Sequence, residues 1–174
     1  MDRGSTRRKG KIELRGVEEQ DAEFLYQWAS SSEITPHTLG RRFPMQISSI
    51  HEWIKMSNCG EFPTRIAYLI LDGSPVGLAQ LDQIDWIAKT AWLGVWVIPV
   101  ARSAGCGSVA VKHLIKFASE SFGLRQIRLL VRKDNQPAIL IYHRFGFQPE
   151  GELENAEYRD GTFQNLILMR LNLQ

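Results

Sequence analysis

The sequence predicts one α/β domain with a single mixed, mostly antiparallel sheet flanked by helices. Strand-like apolar runs alternate with apolar patterns of helical spacing along the 174 residues. Asp-Gly dipeptides at 72–73 and 160–161 each separate two apolar runs, which is typical of hairpins and therefore of antiparallel neighbours. A helical segment separates the strands at 90–98 and 125–132, and this is the crossover that a parallel pair requires.

The first half of the chain begins with a strand and two helices. "KIELRGV" (11–17) alternates as a strand does, and "EEQDAEFLYQWAS" (18–30) repeats apolar residues at helical spacing. The prolines, glycine and arginines of 31–46 indicate a loop. "ISSIHEWIKMSN" (47–58) predicts a second helix, and "RIAYLILDGSPVGLAQLDQID" (65–85) predicts a hairpin of two strands.

The second half alternates strands and helices and closes on a hairpin. "TAWLGVWVI" (90–98) is apolar on both faces, as a central strand is. The helix that follows has an apolar stripe and ends near Gly123. "RQIRLLVRK" (125–133) alternates as a strand, "DNQPAILIYHRF" (134–145) predicts a helix, and two strands occupy 146–171.

Composition and charge are those of an ordinary soluble globular protein. The apolar fraction is 44%, the charged fraction is 23%, and no apolar run is long enough to span a membrane. A net charge of +2 is too small to indicate nucleic-acid binding. Neither the two cysteines nor the four histidines have metal-ligand spacing, so we expect no metal and a reducing, cytoplasmic setting. The basic residues of 1–10 predict a flexible arm ahead of the domain at 11–174.

The segment "IPVARSAGCGSVAV" (98–111) joins the central strand to the next helix through a run of flexible residues. Glycines cost backbone entropy on folding, so their presence in this loop suggests that something must approach the backbone closely. The N–H groups at a helix N-terminus bind anions, and glycines let a phosphate come close. The spacing Arg102-x-x-Gly105-x-Gly107 therefore indicates a phosphate site, with a tight turn that binds nothing as the alternative. It is neither a Walker loop nor a dinucleotide-binding fingerprint.

Three motifs in order make the chain resemble the GNAT superfamily of N-acetyltransferases over roughly residues 11–172. "LGVWVIPVARSAGCGSVAVKHLIKFA" resembles the acetyl-coenzyme A motif, Gln/Arg-x-x-Gly-x-Gly/Ala between a strand and a helix. "VRKDNQPAILIYHRFGF" resembles the next motif. "EYRDGTFQNLILMRL" resembles the closing strands of the branch with ribosomal-protein, polyamine and nucleotide-sugar acetyltransferases. The resemblance implies a GNAT fold, in which the two central parallel strands splay apart.

The resemblance also implies a site for acetyl-CoA, the acetyl donor, and a general acid. The loop amides would hold the pyrophosphate, and the pantetheine arm would enter the gap between the splayed strands. The resemblance places Tyr142 at the position of the family's general acid. A phenol with a pKa near 10 can protonate a leaving thiolate at neutral pH. Core packing is the alternative for Tyr142, and helix capping is the alternative for Asn135. The cofactor-binding residues implied in this way are Val97, Arg102, Ser103, Ala104, Gly105, Cys106, Gly107, Ser108 and Asn135.

Trp92 stands where relatives often carry a glutamate that helps to deprotonate the amine through water. A tryptophan cannot accept this proton, so the base lies elsewhere or a water path carries the proton to solvent. The candidate bases are Asp82, Asp85, Glu33 and His37, and a solvated strand end is the alternative for the two aspartates. This departure also leaves open a non-catalytic acetyl-CoA sensor or scaffold.

The acceptor is expected to be a small-molecule amine, and the resemblance implies that it meets residues 31–60, between the first and second strands. That segment is basic, and adjacent arginine forks match phosphate geometry. We therefore expect an amino-sugar nucleotide, with a protein N-terminal amine second and a polyamine third. No nucleic-acid or membrane partner is expected, and the chain is expected to be a monomer or a homodimer. The substrate-binding candidates are Arg41, Arg42, Asp82 and Asp85.

Overall fold

The structure is a computed structural model that describes residues 11–29, 31, 34, 46–159 and 161–173. The predicted arm ahead of the domain lies outside the described residues. In chain order the elements are β1 (Glu13–Gly16), α1 (Ala22–Ala29), α2 (Ile47–Met56), β2 (Ile66–Leu71), β3 (Pro75–Asp85), β4 (Thr90–Val97), α3 (Cys106–Glu120), β5 (Gln126–Arg132), α4 (Gln136–Arg144), β6 (Gln148–Arg159) and β7 (Thr162–Asn172).

The predicted order of strands and helices is confirmed. The largest difference in helix bounds is at the start of α1, predicted from 18 but beginning at Ala22 after a 3-10 turn at Glu19–Asp21. Helix α3 ends at Glu120, where the apolar stripe predicted a slightly longer helix. Gly123 then adopts a φ of 56°, and the Leu124 N–H donates to the Ala118 carbonyl at 2.9 Å. This left-handed glycine reverses the chain after the helix, as the sequence predicted.

The seven strands form one mixed sheet in the order β1-β2-β3-β4-β5-β7-β6. Every neighbouring pair is antiparallel except β4 and β5, which are parallel. Pairing of β4 with β5 covers only 90–92 against 126–128, although β4 continues to Val97 and β5 to Arg132. The predicted splay of these two strands is therefore confirmed, and it opens towards the end of β4 that leads into the glycine segment.

Helices cover the two faces of the sheet unequally. The main core packs Val111 and Leu114 of α3 against strand residues such as Leu93 and Leu129. On the opposite face, α1 and α2 form a second core with the β2–β3 side of the sheet, where Leu69 is fully buried. No helix in the described ranges is both long and apolar enough to cross a membrane.

Gly77 lets β3 lie close to the end of β4. A Cβ at this position would sit 2.3 Å from the Trp96 carbonyl oxygen, which is backbone and has little room to move. We expect Gly77→Ala to lower the free energy of unfolding by about 3 kcal/mol, since an overpacked methyl must displace a strand. Urea denaturation measures this. Gly151→Ala is the control, because its Cβ meets nothing within 4 Å, and an equal loss in both variants would contradict the prediction.

His113 is a half-buried imidazole in the aromatic layer between α3 and β2. Its ring lies edge-on to Tyr68 at 4.7 Å, and its Nε2 has no hydrogen-bond partner in the described structure. Burial lowers the pKa of His113, and nearby Lys116 lowers it further.

Because the pKa of His113 is lower in the folded chain than in the unfolded chain, the free energy of unfolding depends on pH around and below the ordinary histidine pKa. The unfolded chain takes up a proton at His113 before the folded chain does, so stability is lost as pH falls through and below about 6.5. We expect His113→Phe, which keeps the ring contacts, to lose less stability than the wild type between pH 7.5 and 5. Urea denaturation at both pH values checks this, and equal losses would show that other groups set the acid sensitivity.

Candidate functional site

The loop after β4 is built from residues with unusual backbone conformations. A 3-10 turn at Pro99–Ala101 follows the strand, and then Ser103 and Gly105 adopt φ values of 63° and 94°. The Arg102 Nε donates to the Val97 carbonyl at 3.2 Å and ties the loop to the strand end. Left-handed conformations cost energy for residues other than glycine, so this geometry is held by its surroundings.

The first turn of α3 presents its backbone amides without a side-chain cap. Gly105 occupies the N-cap position, and the Val109 N–H donates to its carbonyl at 3.0 Å as the first intrahelical bond. The amides of Gly107 and Ser108 precede that bond, so the helix itself offers them no acceptor. A Cβ on Gly105 would meet nothing within 4 Å, which leaves the turn open. Exposed amides at the positive end of a helix dipole fit a pyrophosphate.

Cys106 faces the core and not the open side of this turn. Its side chain is 1% exposed and packs within the main cluster. The Cys106 side chain is therefore a small packing residue of the core. Any contact of Cys106 or of half-buried Ala104 with a bound phosphate would come from the backbone.

Tyr142 lies in α4 and packs in the core, as its alternative role predicted. Its ring is 8% exposed and meets the edge of Phe147 at a centroid distance of 5.7 Å. Burial raises the pKa of Tyr142 to about 12. Its hydroxyl makes no hydrogen bond to any described residue. The phenol is therefore protonated across the neutral range and retains its proton for donation.

Asn135 caps α4, which confirms its structural role. Its Oδ1 accepts a hydrogen bond from the Ala138 N–H at 3.4 Å. Helix α4 packs on the loop side of α3, since Ile141 Cδ1 lies 3.7 Å from the position of a Gly107 Cβ. The residue that contacts the first turn of α3, Ile141, directly precedes Tyr142 in α4.

The two aspartates at the end of β3 have different surroundings. Asp82 lies opposite Trp92 and forms an ion pair with Arg65 at 3.1 Å. Asp85 accepts hydrogen bonds from the Ile87 and Ala88 amides at 2.9 and 2.7 Å and closes the turn into β4. Asp85 lies opposite Thr90 at the start of β4. At 3.3 Å per residue, Thr90 is about 23 Å from Val97, where β4 ends before the glycine segment. Of the two, only Asp82 lies where β4 and β5 part.

Gln80 was missed by the sequence interpretation, although it lies beside the same opening. It is a half-buried amide opposite Gly94, two residues beyond the last β4–β5 pair. The available signal was a polar residue in the otherwise apolar run "VGLAQL", facing a glycine in a central strand. Strand register, which decides the pairing, was not available from the sequence.

Several sequence candidates lie outside the described residues, and the remaining chain shows no metal-binding cluster. The acceptor candidates Arg41 and Arg42 and the candidate bases Glu33 and His37 all fall within this undescribed part. Where side chains are described, no three or more His, Cys, Asp or Glu residues come together in a group able to hold a metal ion.

Comparisons with known proteins agree on one family. The acetyltransferase (GNAT) domain model matches residues 11–148. Spermidine N(1)-acetyltransferase of Escherichia coli K12 is 23% identical over 160 residues, 91% of this chain and 84% of that protein. The L-amino acid N-acetyltransferase AaaT of the same organism is 28% identical over 162 residues, 88% of this chain and 96% of its own.

Solved structures give the same fold. The crystal structure of spermidine N-acetyltransferase from Vibrio cholerae, in complex with CoA and spermine, superposes with a TM-score of 0.83 at 19% identity. The match covers 92% of this chain and 95% of that one. Because the domain model spans most of the chain and the fold agrees, this protein belongs to the GNAT family of acetyltransferases.

Proposed function

We propose that the protein transfers the acetyl group of acetyl-CoA directly to a primary amine in the gap between β4 and β5. The observation that carries this proposal is the gap itself, because strand pairing stops at Trp92 while both strands continue. One end of the gap leads into the open amides of the α3 first turn. Past Trp92, the edge of β4 that faces β5 has no strand partner in the described structure, so its backbone groups are available to a ligand.

The backbone around the gap would bind acetyl-CoA, and Tyr142 would act as the proton donor. The amides of the loop would hold the pyrophosphate, and the unpaired strand edges would receive the amide groups of the pantetheine arm. Bound acetyl-CoA supplies the thioester that the amine attacks. Tyr142, kept protonated by burial, would give its proton to the departing thiolate and recover one from the amine side through solvent.

For the acceptor we propose a small polyamine. A spermidine acetyltransferase matches this chain over nearly its whole length, and a second spermidine enzyme shares its fold. The expectation of an amino-sugar nucleotide rested on Arg41 and Arg42, which lie outside the described residues, and the relatives reported above are named for spermidine and for L-amino acids. The expected monomer or homodimer stays a prediction.

An amine panel tests the choice of acceptor. We expect a higher kcat/KM for spermidine than for an L-amino acid, a peptide with a free N-terminus or a UDP-linked amino sugar, measured as thiol release from acetyl-CoA. A preference for the amino sugar would overturn the polyamine proposal. In that case Arg41→Ala with Arg42→Ala should raise the KM for the amino sugar and leave acetyl-CoA affinity unchanged, because the arginines would hold its diphosphate.

A further inference from the structure

Gln80 lies on the face of the sheet opposite α3, at the place where β4 leaves β5. In the β3–β4 register Gln80 pairs with Gly94 and Asp82 pairs with Trp92, so alternate residues of both strands share this face. Helices α1 and α2 pack farther along the same face, on residues such as Leu69 and Leu78.

The Gln80 side chain lies directly over Gly94. An ideal Cβ built on Gly94 would be 3.3 Å from Gln80 Cγ and 3.4 Å from Gln80 Nε2. Gly94 therefore provides the space that the amide occupies. Because Trp92 makes the last pair with β5, this amide sits at the mouth of the gap.

The amide of Gln80 is half-buried and makes no hydrogen bond to any described residue. Partly buried polar groups in native proteins are usually paired, and a glutamine offers one acceptor oxygen and two donor hydrogens. The nearest polar neighbour on β3, Asp82, is already engaged by Arg65 and by the Gln83 amide at 2.8 Å. The amide of Gln80 can therefore hydrogen-bond to a ligand, whereas the carboxylate of Asp82 already has partners within the protein.

We infer that Gln80 binds the acceptor amine, its Oε1 accepting an N–H and holding the nitrogen towards the gap. This inference rests on the proposed function, since it takes the gap as the place of acetyl transfer. The amine must be neutral to attack. A carboxylate close to it would favour the protonated ammonium strongly, whereas a neutral amide accepts the same hydrogen bond and raises the amine pKa much less. Trp92 adds no carboxylate here, and the Asp82 carboxylate opposite Trp92 is paired with Arg65.

Gln80→Leu tests the inference with spermidine as acceptor. Losing a partly buried hydrogen bond should raise the KM for spermidine about tenfold, with the Kd of acetyl-CoA unchanged by calorimetry. Gly94→Ala should raise the same KM about threefold, because the added methyl pushes the amide aside. In the Gln80→Leu background, Gly94→Ala should have no further effect, since both changes act through one amide.

A second variant keeps the inference testable if Gln80→Leu does not fold. Gln80→Glu is nearly isosteric and places a carboxylate beside the bound amine, so the acidic limb of kcat against pH, which reports groups in the bound complex, should move to higher pH. A wild-type KM in Gln80→Leu, or a wild-type pH profile in Gln80→Glu, would overturn the role of Gln80. A wild-type protein that binds acetyl-CoA but acetylates no amine would instead overturn the proposed function.

Discussion

Replacing Tyr142 by phenylalanine is expected to lower kcat about a hundredfold, which is what a general acid contributes. The ring and its contact with Phe147 remain, so the fold and the Kd of acetyl-CoA should change little. Steady-state thiol release together with calorimetry separates the two quantities. Full activity of Tyr142→Phe at neutral pH would show that this tyrosine only packs.

Tyr68→Phe is the matched control, because Tyr68 is also packed among rings but lies in β2, away from the gap. Burial raises the pKa of Tyr68 as well, so both variants remove a protonated phenol. Only the Tyr142 change should slow turnover. Because the Tyr142 pKa is raised to about 12, its ionisation should not limit kcat up to about pH 11, and any loss below that pH belongs to another group.

Gly107→Val is expected to weaken acetyl-CoA binding more than tenfold. The branched side chain would stand over the amides of the first turn of α3 and keep the pyrophosphate at a distance. A Cβ at Gly107 is in ordinary van der Waals contact with Ile141 at 3.7 Å, so its first atom fits the fold. Calorimetry on the folded variant measures the change.

Two other valine substitutions serve as comparisons for the acetyl-CoA affinity of Gly107→Val. Gly105→Val should also weaken binding more than tenfold, but Gly105 has a φ of 94°, so valine there strains the backbone with or without a ligand. Glu120→Val, at the far end of α3, should bind acetyl-CoA as the wild type does. An unchanged Kd in Gly107→Val would place the phosphates elsewhere.

The order of elements could be predicted from the sequence because it depends on local signals. Strand and helix periods, the Asp-Gly turns and the crossover helix each operate within short segments, and the family motifs implied the splay of β4 and β5. Asn135 illustrates a local signal that was sufficient, since a cap is decided by its own first turn.

The contacts across strands could not be predicted in this way. The pairing of Gln80 with Gly94 depends on register, and register follows from how the whole sheet packs. Asp85 looked like a candidate base, but its carboxylate closes the turn to Ala88, a contact that depends on the exact backbone path. Gly77 carried no distinguishing signal, because only the structure shows the Trp96 carbonyl against it.

Acetyl transfer in the β4–β5 gap is tested most directly by measuring both products in one reaction. Wild-type protein is incubated with acetyl-CoA and spermidine, free thiol is titrated, and acetylated spermidine is quantified by mass spectrometry. We expect one thiol for each acetylated amine, and no thiol when spermidine is left out. Binding of acetyl-CoA without thiol release for any amine of the panel would contradict the transfer and indicate a sensor or scaffold.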